Sequence, residues 1–501
     1  MTAIASVAES VPAPILPDVD FDWSEETWDR IGRKTLELVT AASTGWDKRR
    51  PSPSEHAQEV RERVRTSLPN EGASPELLVE SLRDDLLPLS TFNGHPRFYS
   101  YITSSPNPMG VMGDFISSAF NQNTSLWRAS PLASAIELQT VDWLREILGM
   151  PETTEGVFSS GGQMANIIAH NVIRDQRAGW DVRRYGLRGE DGHASALAIY
   201  VSDQVHYCHE QAADVLGLGR ESIRSVPTDD NYRLRTDSLA NMITEDRLRG
   251  VRPLAIVATA GTVGTGAVDP IRELLKLSQS ENIWLHVDGA YGAFAVLAES
   301  APPDLRLIGE ADSVACDPHK WLYAPIGAAV TLIRHPGALE ESFRFRPPYL
   351  LQVDDPARID LVDRSPENTR PFRALKVWLA LRAYGVSGYA SMIERNILLA
   401  GYLESLIDAT PGLALAAPRE LSIVCWRVEP EGVEMTYEER ERLQTAVIGE
   451  LEKHGEGFVS QAHLRDGRRA LRACIVNFRT RPSDMEVLVE ASARVGRELI
   501  A

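Results

Sequence analysis

The chain has 501 residues, 43% apolar and 24% charged, an ordinary globular composition that argues against a disordered or fibrous chain. Its 52 Lys and Arg against 70 Asp and Glu leave a formal charge of −18. That balance argues against a nucleic-acid binder driven by phosphate attraction and gives an anionic membrane surface nothing to attract, while leaving room for one local phosphate pocket.

Met1 to Pro17 is rich in Ala, Pro and Ser, and the first positive side chain is Arg30. A frayed tail is expected there, without the basic start of a secretory signal. From Trp23 to Leu89 the pattern is helical, divided by the loop Arg50-Pro51-Ser52-Pro53. Leu36, Leu38 and Val39 form one apolar stripe. Leu77, Leu78, Leu82, Leu86 and Leu87 form another, as in helices that pack on something larger.

From about Gly156 to Arg334, short β-branched runs alternate with amphipathic ones. Strands are expected at Ala196–Val201, Leu254–Thr259, Asn282–Val287 and Asp312–Cys316, with helices at Glu210–Leu216 and Pro270–Ser280. Unalternating strands separated by helices indicate a mainly parallel sheet covered on both faces. After Arg373 a long helical pattern leads to two more strands, Leu421–Trp426 and Ala473–Phe478. The expected organisation is an N-terminal helical segment (1–105), a large α/β domain (106–375) and a small C-terminal α+β domain (376–501). No stretch reaches the roughly 18 apolar residues of a membrane span; the longest candidate, Ala324–Ile333, is broken by Gly327 and Thr331. Cys208, Cys316, Cys425 and Cys474 are widely spaced, which indicates neither a disulfide framework nor a zinc cluster and suits a reducing cytosol.

Ligands on parallel sheets sit at the carboxyl ends of strands. Thr259 ends one strand and Asp288 another, while Cys316 leads into Asp317-Pro-His-Lys320. A carboxylate after the apolar run Ile283–Val287 needs a cationic partner to offset its burial. A desolvated Lys320 would become nucleophilic. Gly161-Gly162 before a helix offers free N–H groups and a dipole for a phosphate. Together these three features suggest pyridoxal phosphate (PLP), whose chemistry uses a lysine imine and an acidic partner for its ring nitrogen.

The segments Ser313-Val-Ala-Cys-Asp-Pro-His-Lys-Trp-Leu322 and His286-Val-Asp-Gly-Ala-Tyr291 resemble those of the group II PLP-dependent amino-acid decarboxylases. This family holds the aromatic-amino-acid, histidine, glutamate and diaminobutyrate decarboxylases. Asp203-Gln-Val-His206, Ala258-Thr-Ala-Gly-Thr262, Arg373–Trp378 and Asn477-Phe-Arg-Thr480 resemble further family blocks, in order along the chain. The resemblance implies an aspartate-aminotransferase-like, fold type I large domain. It further implies that Lys320 carries PLP as an imine, that Asp288 pairs with the ring nitrogen, and that His206 and Ala290 flank the ring. Thr259 would support it, and Gly161, Gly162 and Gln163 would hold the phosphate with His319 nearby. Tyr349 would fall on a catalytic loop, Tyr101 and Thr103 would line the substrate pocket, and the assembly would be a homodimer.

Some features depart from the family. Gly-Gly-Gln replaces hydroxyl residues at the phosphate block, Asp317 stands where animal members often have Asn, and His95–Thr103 is one residue short. Asp317 is expected to turn away from the phosphate or contact an N–H. His206, His209 and Glu210 carry no HExxH pattern, so no metal is expected. Gly261–Gly266 lacks the order of a nucleotide loop. The expected activity is decarboxylation of an L-amino acid to amine and CO2. Tyr101 and Trp127 tilt the substrate toward an aromatic one. The alternatives are an aldehyde-forming oxidative decarboxylation, or a non-aromatic substrate such as glutamate, aspartate or diaminobutyrate.

Overall fold

The computed structural model describes residues 21–345, 355 and 357–500. The expected tail, Met1–Pro17, and Tyr349 lie outside these residues. The chain divides into two compact units, one of residues up to 49 together with 53–90, the other of 50–52 and 91 onward.

The first unit holds α1 (Glu25–Ser43), α2 (Ala57–Val64) and α3 (Pro75–Leu89). Ser24 caps α1 by accepting the Thr27 backbone N–H at 3.2 Å. Ion pairs join α1 to α3: Arg30 to Glu76 at 2.7 Å, and Lys34 to Glu80. The leucine stripe of α3 stays open, with Leu77 63% and Leu78 52% exposed.

The second unit starts with an extended stretch and then forms α4 (Pro108–Phe120), α5 (Pro131–Ile147), β1 (Glu155–Ser159), α6 (Gly162–Arg177), β2 (Leu197–Ser202), α7 (Cys208–Val215), β3 (Ile223–Val226), α8 (Thr236–Leu248), β4 (Arg252–Thr259), α9 (Ile271–Glu281), β5 (Trp284–Gly289), β6 (Ser313–Cys316), α10 (Pro318–Trp321) and β7 (Ala329–Ile333). The seven strands form one sheet in the order β1-β7-β6-β5-β4-β2-β3. Neighbours from β6 to β3 run parallel, and β7 runs antiparallel to both β6 and β1. Every residue of β2, β5, β6 and β7 is buried, which explains why their sequences do not alternate.

α11 (Ala374–Asp408) follows, kinked at Gly385, where φ is 67°. The expected boundary at residue 375 falls at its first turn. Beyond it lie β8 (Leu413–Leu415), β9 (Ile423–Val428), α12 (Tyr437–His454), β10 (Ser460–His463), β11 (Arg469–Cys474) and α13 (Pro482–Glu498). These strands form an antiparallel sheet in the order β10-β11-β9-β8. The strand expected at Ala473–Phe478 thus starts and ends earlier than its apolar run. Ile475 and Val476 are buried without belonging to the ladder, so the apolar run marked burial, not pairing. Residues 91–105 are also woven into this sheet's surroundings: Tyr99 is fully buried, donates its N–H to the Phe458 carbonyl and accepts from the Cys474 N–H.

Candidate active site

The parallel register sets functional groups side by side. Thr259 pairs with Asp288 across β4 and β5, and Asp288 with Ala315 across β5 and β6. Just past β6 the chain turns through Asp317 into the single turn α10, which carries Lys320. β1 points the same way as β6, so Gly161 and the start of α6 reach the same edge. A cavity of about 280 Å3 opens there. All nine expected cofactor residues line it: Gly161, Gly162, Gln163, His206, Thr259, Asp288, Ala290, His319 and Lys320. A larger cleft of about 480 Å3 holds Tyr101, His463 and Arg472 but neither the lysine nor the carboxylate.

Asp288 is 5% exposed. Its Oδ1 accepts the Ala290 N–H at 3.1 Å, and its Oδ2 lies 2.9 Å from His209 Nε2. Burial alone would raise the Asp288 pKa, yet the hydrogen bond and charge of His209, aided by Lys320, hold it well below the usual carboxylate range. Burial opposes charge on His209, but Cys208 and Asp288 outweigh it and raise His209 to about 10. His209 Nδ1 meets His170 Nε2 at 2.8 Å, and His170 Nδ1 is buried without a partner. Burial, with the charge of His209, pushes His286 down to about 3. Its two nitrogens are taken by Asn166 Oδ1 and Ser313 Oγ, each at 2.8 Å. His206 Nδ1 accepts the Cys208 N–H at 3.2 Å, and burial lowers the pKa of its ring.

The residues fit PLP on several counts. Gly161 begins α6 with no side-chain cap, which leaves N–H donors for a phosphate. A Cβ at Gly162 would lie 2.7 Å from Asp317 Oδ2 and 3.2 Å from the Ala290 Cβ, so only glycine keeps the cradle open. The Thr259 hydroxyl is buried beside the cavity without a partner. His319 Nδ1 is committed to the Ala328 carbonyl at 2.6 Å, leaving Nε2 on the cavity side. Asp288 offers one buried negative charge for a ring cation.

The sequence profile described as "Pyridoxal-dependent decarboxylase conserved domain" matches residues 57–429. The chain belongs to this family. It is 32% identical over 464 residues to an aromatic-L-amino-acid decarboxylase of Bacillus atrophaeus, covering 92% of this chain and 94% of that one. A phenylacetaldehyde synthase of Petunia hybrida is 30% identical, with 70% of each chain covered. Among solved structures, Oryza sativa TDC with PLP and tryptamine superposes with a TM-score of 0.88 at 25% identity, covering 96% and 100% of the two chains. This decarboxylase thus has the fold type I architecture and uses PLP.

Three expectations need revision or lie elsewhere. Tyr101 and Thr103 do not line the cavity; Ile102 between them does. The reason is local: Tyr101 adopts φ 57°, its N–H is held by Ser460 Oγ and its carbonyl by Arg472, and its ring turns to Phe458. Asp317 does not turn away, and the N–H groups it contacts are those of side chains. Its Oδ2 sits 3.2 Å from Lys320 Nζ and 3.5 Å from His319 Nε2, and its Oδ1 is buried without a hydrogen bond. Tyr349 lies outside the described residues.

Sequence reasoning passed over His170 and His286, and weighed His209 only as a metal ligand. The donor atoms of Cys208, His209 and Asp288 do converge within 4.8 Å, beside the cavity that Cys208 and Asp288 line and His209 does not. A signal for the histidine pair was present: His170 and His209 sit on the apolar faces of α6 and α7, where a polar ring needs a partner. Two of the resembling blocks serve the scaffold. Lys376 Nζ binds Asp114 and the Ile326 carbonyl, and Asn477 binds the His95 carbonyl at 2.8 Å.

Proposed function

We propose that this decarboxylase acts on an aromatic L-amino acid and releases the amine and CO2. The carrying observation is the convergence of Lys320, Asp288 and the Gly161-Gly162 cradle on one cavity. Ile102, Val263 and Tyr291 give that cavity apolar walls, and Lys320 is the one lysine or arginine among its described lining residues. A substrate with a second carboxylate would want a further cation. Arg472 belongs to the neighbouring cleft, where its guanidinium binds the carbonyls of Val263 and Tyr101. The name of the Bacillus relative supports the aromatic reading.

Bound PLP supplies an electron sink for the electron pair left when the carboxylate departs. Lys320 Nζ would be the amine that holds it. Asp288 would hold a proton at the ring nitrogen. The N–H groups of α6 and the His319 ring would bind the phosphate, His206 and Ala290 would confine the ring, and the unpartnered Thr259 hydroxyl would be its hydrogen-bond donor. Tyr349, 29 residues after Lys320 in sequence, is the proposed donor of the proton that replaces CO2 on the substrate carbon. A phenol can supply it while water and oxygen are kept out.

The assembly we propose is a homodimer. Supporting it are exposed apolar residues on α4, with Phe115 61% and Phe120 71% exposed, and the open leucine stripe of α3. Four free, buried cysteines suit a cytosolic location. Among the described residues no helix is long and apolar enough to cross a membrane.

A panel of L-amino acids assayed for CO2, amine, aldehyde, ammonia and peroxide tests the reaction. Amine from an aromatic substrate is expected. In Tyr349→Phe under air, amine should fall while aldehyde, ammonia and oxygen consumption rise. Parent enzyme that makes mostly aldehyde overturns the amine reading, and preference for an acidic substrate overturns the aromatic one.

A further inference from the structure

Behind Asp288 stands a buried chain that the reaction as described does not use. Its carboxylate contacts His209, and His209 contacts His170, at 2.9 and 2.8 Å. Both rings are essentially sealed from solvent. The groups facing His209 are Asp288 and His286 from β5, His170 from α6 and Cys208 from its own helix; Lys320 and His206 act on the same carboxylate. Asp288 is the one carboxylate among these groups. It carries a single negative charge, so in a dry site it can neutralise one cation and not two.

We propose that His209 is a positioning residue for the cofactor: it holds a proton against Asp288 until PLP loads, and loading discharges it. This rests on the reading that Asp288 pairs with the ring nitrogen. The proton balance is simple. If the ring arrives as a neutral base, the His209 proton moves through Asp288 to the ring nitrogen. If it arrives as a cation, the proton leaves to solvent. Either way the bound state keeps one proton at Asp288's outer face and His209 becomes neutral. His170 Nε2, facing His209 Nδ1, holds the ring in the plane that points Nε2 at Asp288.

The consequence is a linkage between pH and affinity. Loading of the native chain releases one more proton than loading of a chain whose residue 209 cannot titrate. Native affinity should therefore improve relative to His209→Gln as pH rises, by up to tenfold per pH unit. The experiment measures the dissociation constant of PLP for the apo chain from pH 6.5 to 9, by absorbance, for native, His209→Gln, His170→Gln and Asp288→Asn. The His209→Gln variant should bind relatively better at the acid end, and the His170→Gln variant should move the same way by less. Parallel profiles for native and His209→Gln overturn the proposal. The native chain gives a readout that needs no variant. Imidazole nitrogen NMR at pH 8 should show His209 doubly protonated in the apo chain and singly protonated when loaded; an imidazolium in both states overturns it. Asp288→Asn separates the two ideas. If it binds PLP as tightly as native with an unchanged spectrum, the Asp288 reading itself fails. If it binds weakly while the native and His209→Gln profiles stay parallel, only the role of His209 fails.

Discussion

Lys320 and Asp288 are both charged groups at strand ends, and the structure partners them differently. The Lys320 side chain, 20% exposed, leans on Asp317, whereas the Asp288 side chain, 6% exposed, is backed by His209. Borohydride reduction of the loaded enzyme followed by peptide mapping should find the pyridoxyl group on Lys320; a label on another lysine would sink that assignment. The strand-end positions were legible because an ionisable residue directly after a buried strand must face a ligand or a partner. The identity of the partner was not. Lys320 was expected to be desolvated and Asp288 to find some cation, but a sequence does not announce that a helix seventy-nine positions earlier brings His209 to 2.9 Å. Tyr101 shows the complementary failure. Its left-handed backbone conformation, fixed by Ser460 and Arg472, comes from contacts more than 350 residues away.

Among the elements, β1 and α6 carry the proposed phosphate cradle, and two features shape them. Gly162→Ala would drive a methyl into Asp317 and Ala290. PLP affinity should fall by at least about tenfold, or about 1.4 kcal/mol, while the apo chain keeps its fold; an unchanged dissociation constant would show that the cradle is not used. Upstream, Arg370 and Glu137 form an ion pair that is 1% and 0% exposed, and both bind the backbone of Phe158 in β1. Glu137→Ala would strand the guanidinium, at a cost of about 3–5 kcal/mol, read by chemical denaturation. A loss below about 1 kcal/mol would mean that water reaches Arg370. The strands of the large sheet that were expected were read closely, because a sheet covered on both faces writes unbroken apolar runs. The early end of β11 was not read, since burial without ladder pairing leaves the same apolar signature, and β7 was not read because an apolar run alone does not give a strand's direction or its partners.

For the whole molecule, the α/β class followed from the alternation of strands and helices, but the place of residues 91–105 did not. They carry no periodicity of their own and take their conformation from the C-terminal sheet, through Phe458 and Cys474. If the enzyme is a dimer whose sites need both subunits, Lys320→Ala and Tyr349→Phe chains should partly restore amine formation when mixed subunits reassemble. A fully active monomer at every concentration would contradict it.

The order in which β1 and β7 meet has a bearing on how the protein is made. Glu155 of β1 pairs with Ile333 of β7, far later in the chain, and among the described strands β7 alone bridges β1 to the parallel ones. On the ribosome, at roughly 5–20 residues per second, β1 waits on the order of ten seconds or more for its neighbour. Until then the edge that β7 will cover is open. Nascent chains that stop before β7 should leave the facing edges of β1 and β6 unpaired and open to chaperones.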